Sequence, residues 1–220
     1  MLPRRQVLRS GLACLATGLA GPLGRAAAAP EQPRDLRFRV TRAGSEIGTH
    51  AVSFSQTDPS LIVRTSVNLQ VKVAFITAFH YQHESEEIWQ DGRLAAARSR
   101  TNDNGRKFEV AGEAVRDGFR TVGPSGPFIA APELLTSNTV WREEFARQSA
   151  LINVQEGGEL GVATTPLGRD AITLRDRQIA ATKFRIITPQ CAGHLWYDDR
   201  RSWVRAELEI KGERVIYEQV

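Results

Sequence analysis

Residues with chemistry to offer gather at two places in this 220-residue chain. The run His80-Tyr81-Gln82-His83-Glu84-Ser85-Glu86-Glu87 holds imidazoles and carboxylates, the donor types of a zinc site or of an acid–base pair. Side chains alternate along a strand, so His80, Glu84 and Glu86 point one way while His83 and Glu87 point the other. Three ligands on one strand do not close around a tetrahedral ion. A metal site built on His80 and Glu84 therefore needs His50 from a neighbouring strand, and a solvated strand end is the plainer reading. Cys191 and His194 suggest an activated thiolate. Three residues apart on a strand they face opposite ways, unless a bulge at Gly193 turns one of them. Otherwise Cys191 is a buried, inert thiol. The chain contains no Gly-x-Ser-x-Gly elbow, no glycine-rich phosphate loop and no Cys-x-x-Cys pair. These residues assign no catalytic role and call for no cofactor, so the balance leans away from an enzyme.

The elements that must carry these residues are strands almost throughout. Leu36, Phe38 and Val40 alternate with Arg37, Arg39 and Thr41, the period of a half-buried strand. The turn Ala43-Gly44-Ser45 leads to a second strand with His50, Val52 and Phe54 on one face, ended by Asp58-Pro59-Ser60. From Val63 to Phe79 one parity stays apolar for seventeen residues, roughly 56 Å if straight, so the segment must bend, bulge or cross a coiled sheet. Between Val73 and Phe79 the second face is apolar too, which implies cover on both sides. Gln90-Asp91-Gly92-Arg93 and Asn102-Asp103-Asn104-Gly105 are hairpin signals. Trp141 and Phe145, four apart, mark one short helix near 139–147, with Ser137 or Asn138 as its cap. The final meander runs from Gly193 through Trp203–Ile210 to Val215–Gln219. An all-β fold follows, a large antiparallel meander curled into a barrel or half-barrel, with a sandwich as the other all-β option.

The first residues read as an export signal of the twin-arginine kind. Arg4, Arg5 and Arg9 precede an apolar, glycine-diluted run, Gly11 to Leu23, too short to span a bilayer. Ala26-Ala27-Ala28 offers a cleavage site, which divides the chain into a signal (1–28), a disordered lead (29–34) and one β domain (35–220). Cys14 lies inside the apolar run without the residue order of a lipid-anchor site, and cleavage near Ala28 removes it. The expected location is periplasmic or secreted, with no stable transmembrane anchor.

Cleavage also changes the charge. The whole chain carries 29 basic and 25 acidic residues. The signal takes four arginines and no acid, leaving 25 of each. A mature chain without basic excess has nothing to recruit phosphate backbones, so nucleic acid is not an expected partner. One remaining cysteine forms no internal disulfide, and stability must come from a packed core.

Leu195-Trp196-Tyr197-Asp198, Trp203-Val204, the Gly212–Tyr217 strand, Trp89-Gln90-Asp91-Gly92-Arg93-Leu94 and Ser137-Asn138 ahead of Trp141 together resemble a family of exported bacterial β-proteins defined only as a domain of unknown function. The resemblance spans most of the mature chain and implies fold and compartment. It brings no catalytic residues. More loosely, curled all-β envelope proteins of this size are similar to half-barrel carriers of lipids or lipoproteins.

Trp203 has the parity of Arg205, Glu207 and Glu209, which places a large ring on an otherwise polar face, within reach of Trp196 or Tyr197 on the next strand. With the doubly apolar Val73–Phe79 stretch this favours a concave apolar cavity lined by Val73, Phe75, Phe79, Trp196 and Trp203. The expected activity is non-catalytic binding of a lipid or another apolar or amphipathic envelope molecule. An envelope hydrolase or metal-assisted enzyme, and a structural or assembly partner, are the alternatives.

Overall fold

The computed structural model describes residues 33–73 and 76–220, the side chains of residues 72, 73, 76 and 77 excepted. The signal reading with Arg4, Arg5 and the cleavage near Ala28, most of the 29–34 lead, and Phe75 lie outside the described residues. Two-residue turns connect much of the sheet. Ala43-Gly44, Asp91-Gly92, Asn104-Gly105, Arg175-Asp176 and Lys211-Gly212 all have positive φ at both positions, the hairpin turn whose twist matches paired strands.

The strands are β1 (Leu36–Arg42), β2 (Ser45–Thr57), β3 (Ser60–Val73), β4 (Ile76–Gln90), β5 (Arg93–Asp103), β6 (Arg106–Val115), β7 (Gly118–Gly123) and β8 (Gly126–Ala130). After a long interruption come the short β9 (Ala150–Ile152) and β10 (Glu159–Gly161), then β11 (Ala163–Leu174), β12 (Arg177–Ile187), β13 (Cys191–Tyr197), β14 (Trp203–Ile210) and β15 (Glu213–Gln219). Thirteen of them form one open sheet in the order β11-β12-β13-β14-β15-β1-β2-β3-β4-β5-β6-β7-β8. Every pairing in it is antiparallel, and β1 beside β15 joins the two meanders. The all-β meander is the observed architecture, and it is a half-barrel in the sense that, among the described residues, no strand pairs with the outer edges of β8 and β11.

The seventeen-residue Val63–Phe79 run is not one strand. β3 turns back into β4, with Val73 opposite Ile76 and Val71 opposite Phe79. What reads as a single overlong strand is the two arms of a hairpin.

Residues 131–162, between β8 and β11, form a strap across the inner face of the sheet. Leu135, Phe145, Leu151, Ile152 and Val162 from the strap share one buried cluster with Phe38, Val52, Val63, Trp89, Phe119, Phe184 and Leu195 from the sheet. Two glycines let the strap approach. A Cβ on Gly123 would stand 2.8 Å from the Glu156 carbonyl oxygen, and Gly157, at φ 88°, lies against Gly123 itself.

The expected helix at 139–147 is two short 3-10 turns, Thr139–Trp141 and Glu143–Arg147, broken at Arg142 with extended φ −105° and ψ 135°. Tertiary contacts override the helical spacing here. Arg142 bridges Ser202 in antiparallel fashion, and the Tyr197 hydroxyl donates to the Val140 carbonyl at 2.9 Å. Neither expected cap acts as one, because both side chains bond elsewhere.

Trp203 also departs from its expected face. The register shifts between Trp196 and Tyr197, so Tyr197 pairs with Trp203 and both rings turn inward. Trp203 is 3% exposed and stacks on Phe38 with centroids 3.9 Å apart. The lost alternation is that of a bulge, which strict parity does not register.

Candidate functional site

The side chains of β4 that face the strap are polar: His83, Ser85 and Glu87, all buried, in line with Trp89. On the paired β5 they meet Thr101, Ser99 and Ala97. A polar stripe on the inner face of a sheet needs partners, since a buried polar group left unpaired costs about 1–3 kcal/mol. The strap supplies them. The Asn138 amide donates to His83 Nε2 at 2.8 Å and to Ser85 Oγ at 2.6 Å. With Nε2 accepting, Nδ1 carries the proton and donates to Thr101 Oγ1 at 2.7 Å. Thr136 donates to Glu87, and Trp89 Nε1 donates to the other carboxylate oxygen at 3.0 Å. Ser99 and Thr121 donate to the strap carbonyls of Val154 and Gly157.

The electrostatics follow from burial. Desolvation pushes the Glu87 carboxyl up to about 7, against the opposing pull of Thr136, Trp89 and the Arg142 charge. It lowers His83 to about 4 and His50 to about 3, the latter helped by the nearby His83. His50 sits among Phe38, Trp203 and Tyr217, with Nε2 buried and unpartnered among the described residues. Tyr81 is raised to about 12, mainly by burial, with Asp103 nearby adding to the rise. The stripe is thus a set of neutral or shielded groups whose bonding capacity is turned toward the strap. Its chemistry is that of a latch. About 10 Å³ of space remains beside Glu87, roughly the room of one water molecule.

A larger opening lies where the strap passes the β2–β3 and β4–β5 turns. This groove of about 240 Å³ is lined by Gln56, Pro59, Leu61, Trp89, Asp91, Gly92, Trp141 and Arg142. Trp141 meets Phe54 and Trp89 edge-on, at centroid distances of 5.0 and 6.2 Å. The Arg142 guanidinium lies 5.3 Å from the Trp89 ring centroid and 5.5 Å from that of Trp141, with Nε 3.5 Å from Glu144. The indole nitrogen of Trp141 is buried and has no hydrogen-bond acceptor among the described residues.

The residues singled out from sequence do not converge. His80 is half-buried and Glu84 exposed on the parity opposite His83, while His50 lies on the inner face two strands from His83. Among the described residues no group of three or more His, Cys, Asp or Glu stands close enough to hold a metal ion. Cys191 and His194 sit in regular register on β13, so they face opposite sides, and Gly193 carries no bulge. Of the expected ligand-binding set, Phe79 is half-buried near Lys211, whose ammonium lies 5.6 Å from the ring. Trp196 packs on the other face with Ile172, Ala181 and Val204 and donates to Asp170 at 2.9 Å. Trp203 belongs to the core, and Val73 contributes only a described backbone. The latch residues His83, Ser85, Glu87, Thr136 and Asn138 were missed as a set. Their signal was the shared parity of His83, Ser85, Glu87 and Trp89, which ends on a tryptophan and so marks an inward face.

An open antiparallel sheet curled around its own strap defines the class, a β-barrel-like protein. The chain belongs to the family described as Domain of unknown function (DUF6134), which matches residues 38–220. It is similar in fold to a β-barrel-like protein of Domain of Unknown Function DUF1849 from Brucella abortus, known from a crystal structure. The two align with TM-score 0.59 and 7% identity over 86% of this chain and 96% of that one. No curated protein matches the chain. No helix among the described residues is long and apolar enough to cross a membrane.

Proposed function

We propose that this is an exported, non-catalytic binding protein for a small amphipathic envelope ligand, seated in the groove at Trp89, Trp141 and Arg142. One observation carries the reading: the groove joins apolar walls from Pro59, Leu61 and two indoles to the polar groups of Gln56, Asp91 and Arg142. Concave sites with apolar walls and a few converging polar groups are where small ligands bind. The inside of the curl is a poorer candidate for a lipid, because the strap fills it. The Arg4-Arg5 signal supports export to the envelope, and a twin-arginine route suits a domain delivered already folded. Native mass spectrometry of the protein recovered from its own envelope tests the proposal. The expected result is one small molecule per chain, lost in Trp141→Ala. Recovery of ligand-free protein from every preparation overturns it.

A further inference from the structure

We infer that the groove takes a neutral sugar ring, so that the envelope ligand is a glycan. The inference rests on the amphipathic-ligand reading above and specifies its chemistry. At about 240 Å³ the groove falls below the roughly 300–1,000 Å³ of drug-sized sites, which suits a single ring better than an extended acyl chain.

The polar groups have the wrong mixture for an anion. Arg142 only donates, Asp91 as a carboxylate only accepts, and Gln56 does both. A phosphate or carboxylate drawn to Arg142 would meet the Asp91 charge in the same small space. The Arg142 charge is moreover already shared with Glu144 and lies over two indole rings. A hydroxyl-rich neutral ring meets no such conflict. Each hydroxyl donates to Asp91 or to the Gln56 oxygen, and accepts from Arg142 or the Gln56 amide.

The walls fit as well. A pyranose presents an apolar C–H face and a polar edge, and the groove sets Pro59, Leu61 and the half-buried Trp141 ring beside Gln56, Asp91 and Arg142. The sequence places polar hairpin residues next to Trp89 and strap residues next to Trp141, so one groove holds both kinds of contact.

Nuclear magnetic resonance of the full chain tests this through its four tryptophan indole signals. The probes are cellobiose, chitobiose, dodecyl phosphate and dodecanoate. A disaccharide is expected to shift the Trp89 and Trp141 signals saturably, with Trp196 and Trp203 unmoved. Trp141→Phe should weaken this binding at least tenfold, with the Trp196 and Trp203 signals reporting that the variant is folded. Gln56→Ala, at an exposed position, should weaken it about threefold and serves if Trp141→Phe does not fold. Shifts from the anionic amphiphiles without any from the sugars overturn the glycan inference and leave the amphipathic-ligand reading standing. No shift with any probe overturns both, and sugar shifts confined to Trp196 or Trp203 overturn the location.

Discussion

At the scale of single residues, three buried titratable groups make the stability of this protein pH-dependent in opposing directions. Glu87 has a folded pKa near 7, above its ordinary 4.5, so the fold favours its protonated form. That contribution is complete below 4.5 and is lost as pH rises toward 7. His50 and His83 are lowered to about 3 and about 4 from 6.5, so the fold favours them neutral. Their contribution is complete above 6.5 and is lost as pH falls. Between pH 4.5 and 6.5 the unfolded chain therefore binds two more protons at the histidines and one fewer at Glu87. Stability from these groups rises with pH by about 1.4 kcal/mol per unit. Glu87→Gln is expected to steepen that slope to about 2.7 kcal/mol per unit, and His50→Phe to bring it close to zero. Urea unfolding at half-unit pH steps measures both, and equal slopes in wild type and variants would refute the assigned environments. His50→Phe also removes the unpartnered Nε2 from an aromatic setting, so its stability at pH 7 should stay within about 1.5 kcal/mol of wild type.

At the scale of elements, what was legible in the sequence was what local chemistry encodes. Leu36, Phe38 and Val40 announce β1 by alternation, and Asp91-Gly92 and Asn104-Gly105 announce hairpins because those dipeptides tolerate positive φ. The strap was not legible, because its partners are distant. Asn138 bonds residues 55 and 53 positions earlier, and Thr136 bonds Glu87, 49 positions away. Without those partners, polar side chains on β4 read as solvent-facing. The same cause explains the helix at 139–147, where local spacing lost to the Tyr197 and Ser202 contacts. The latch makes a prediction at this scale. Asn138→Ala leaves His83 Nε2 and the Ser85 hydroxyl without their donor in a buried place, and should destabilise the protein by about 2–3 kcal/mol. Hydrogen exchange should speed up in residues 134–160, and denaturation by urea gives the size of the loss. A loss below about 0.5 kcal/mol would show that the strap does not depend on this amide.

At the scale of the whole molecule, an open thirteen-stranded sheet has two edges left unpaired among the described residues, each an invitation to pair with another chain. Here β8 is only five residues long, while β11 carries Pro166 and a register shift before Gly168, both of which interrupt a pairing edge. The strap that connects them supplies much of what a second sheet would supply in a sandwich, an apolar layer over the inner face. Leu151 and Ile152 of the strap and Leu195 and Phe184 of the far meander belong to one buried cluster, so the main core is shared between the two parts. Strap and sheet should therefore unfold together. Leu151 and Leu195 are 1% and 2% exposed, so Leu151→Ala and Leu195→Ala should each destabilise the same single transition by about 2–5 kcal/mol. Circular dichroism follows the sheet, and tryptophan fluorescence follows both the strap, through Trp141, and the sheet, through Trp89, Trp196 and Trp203. Coincident melts in wild type and in both variants are the expected result. A strap variant that melts in two steps, with fluorescence changing before the circular dichroism, would mean that the sheet stands without its strap. The inside of the curl would then be available to a ligand after all, and the groove at its end would no longer be the better site.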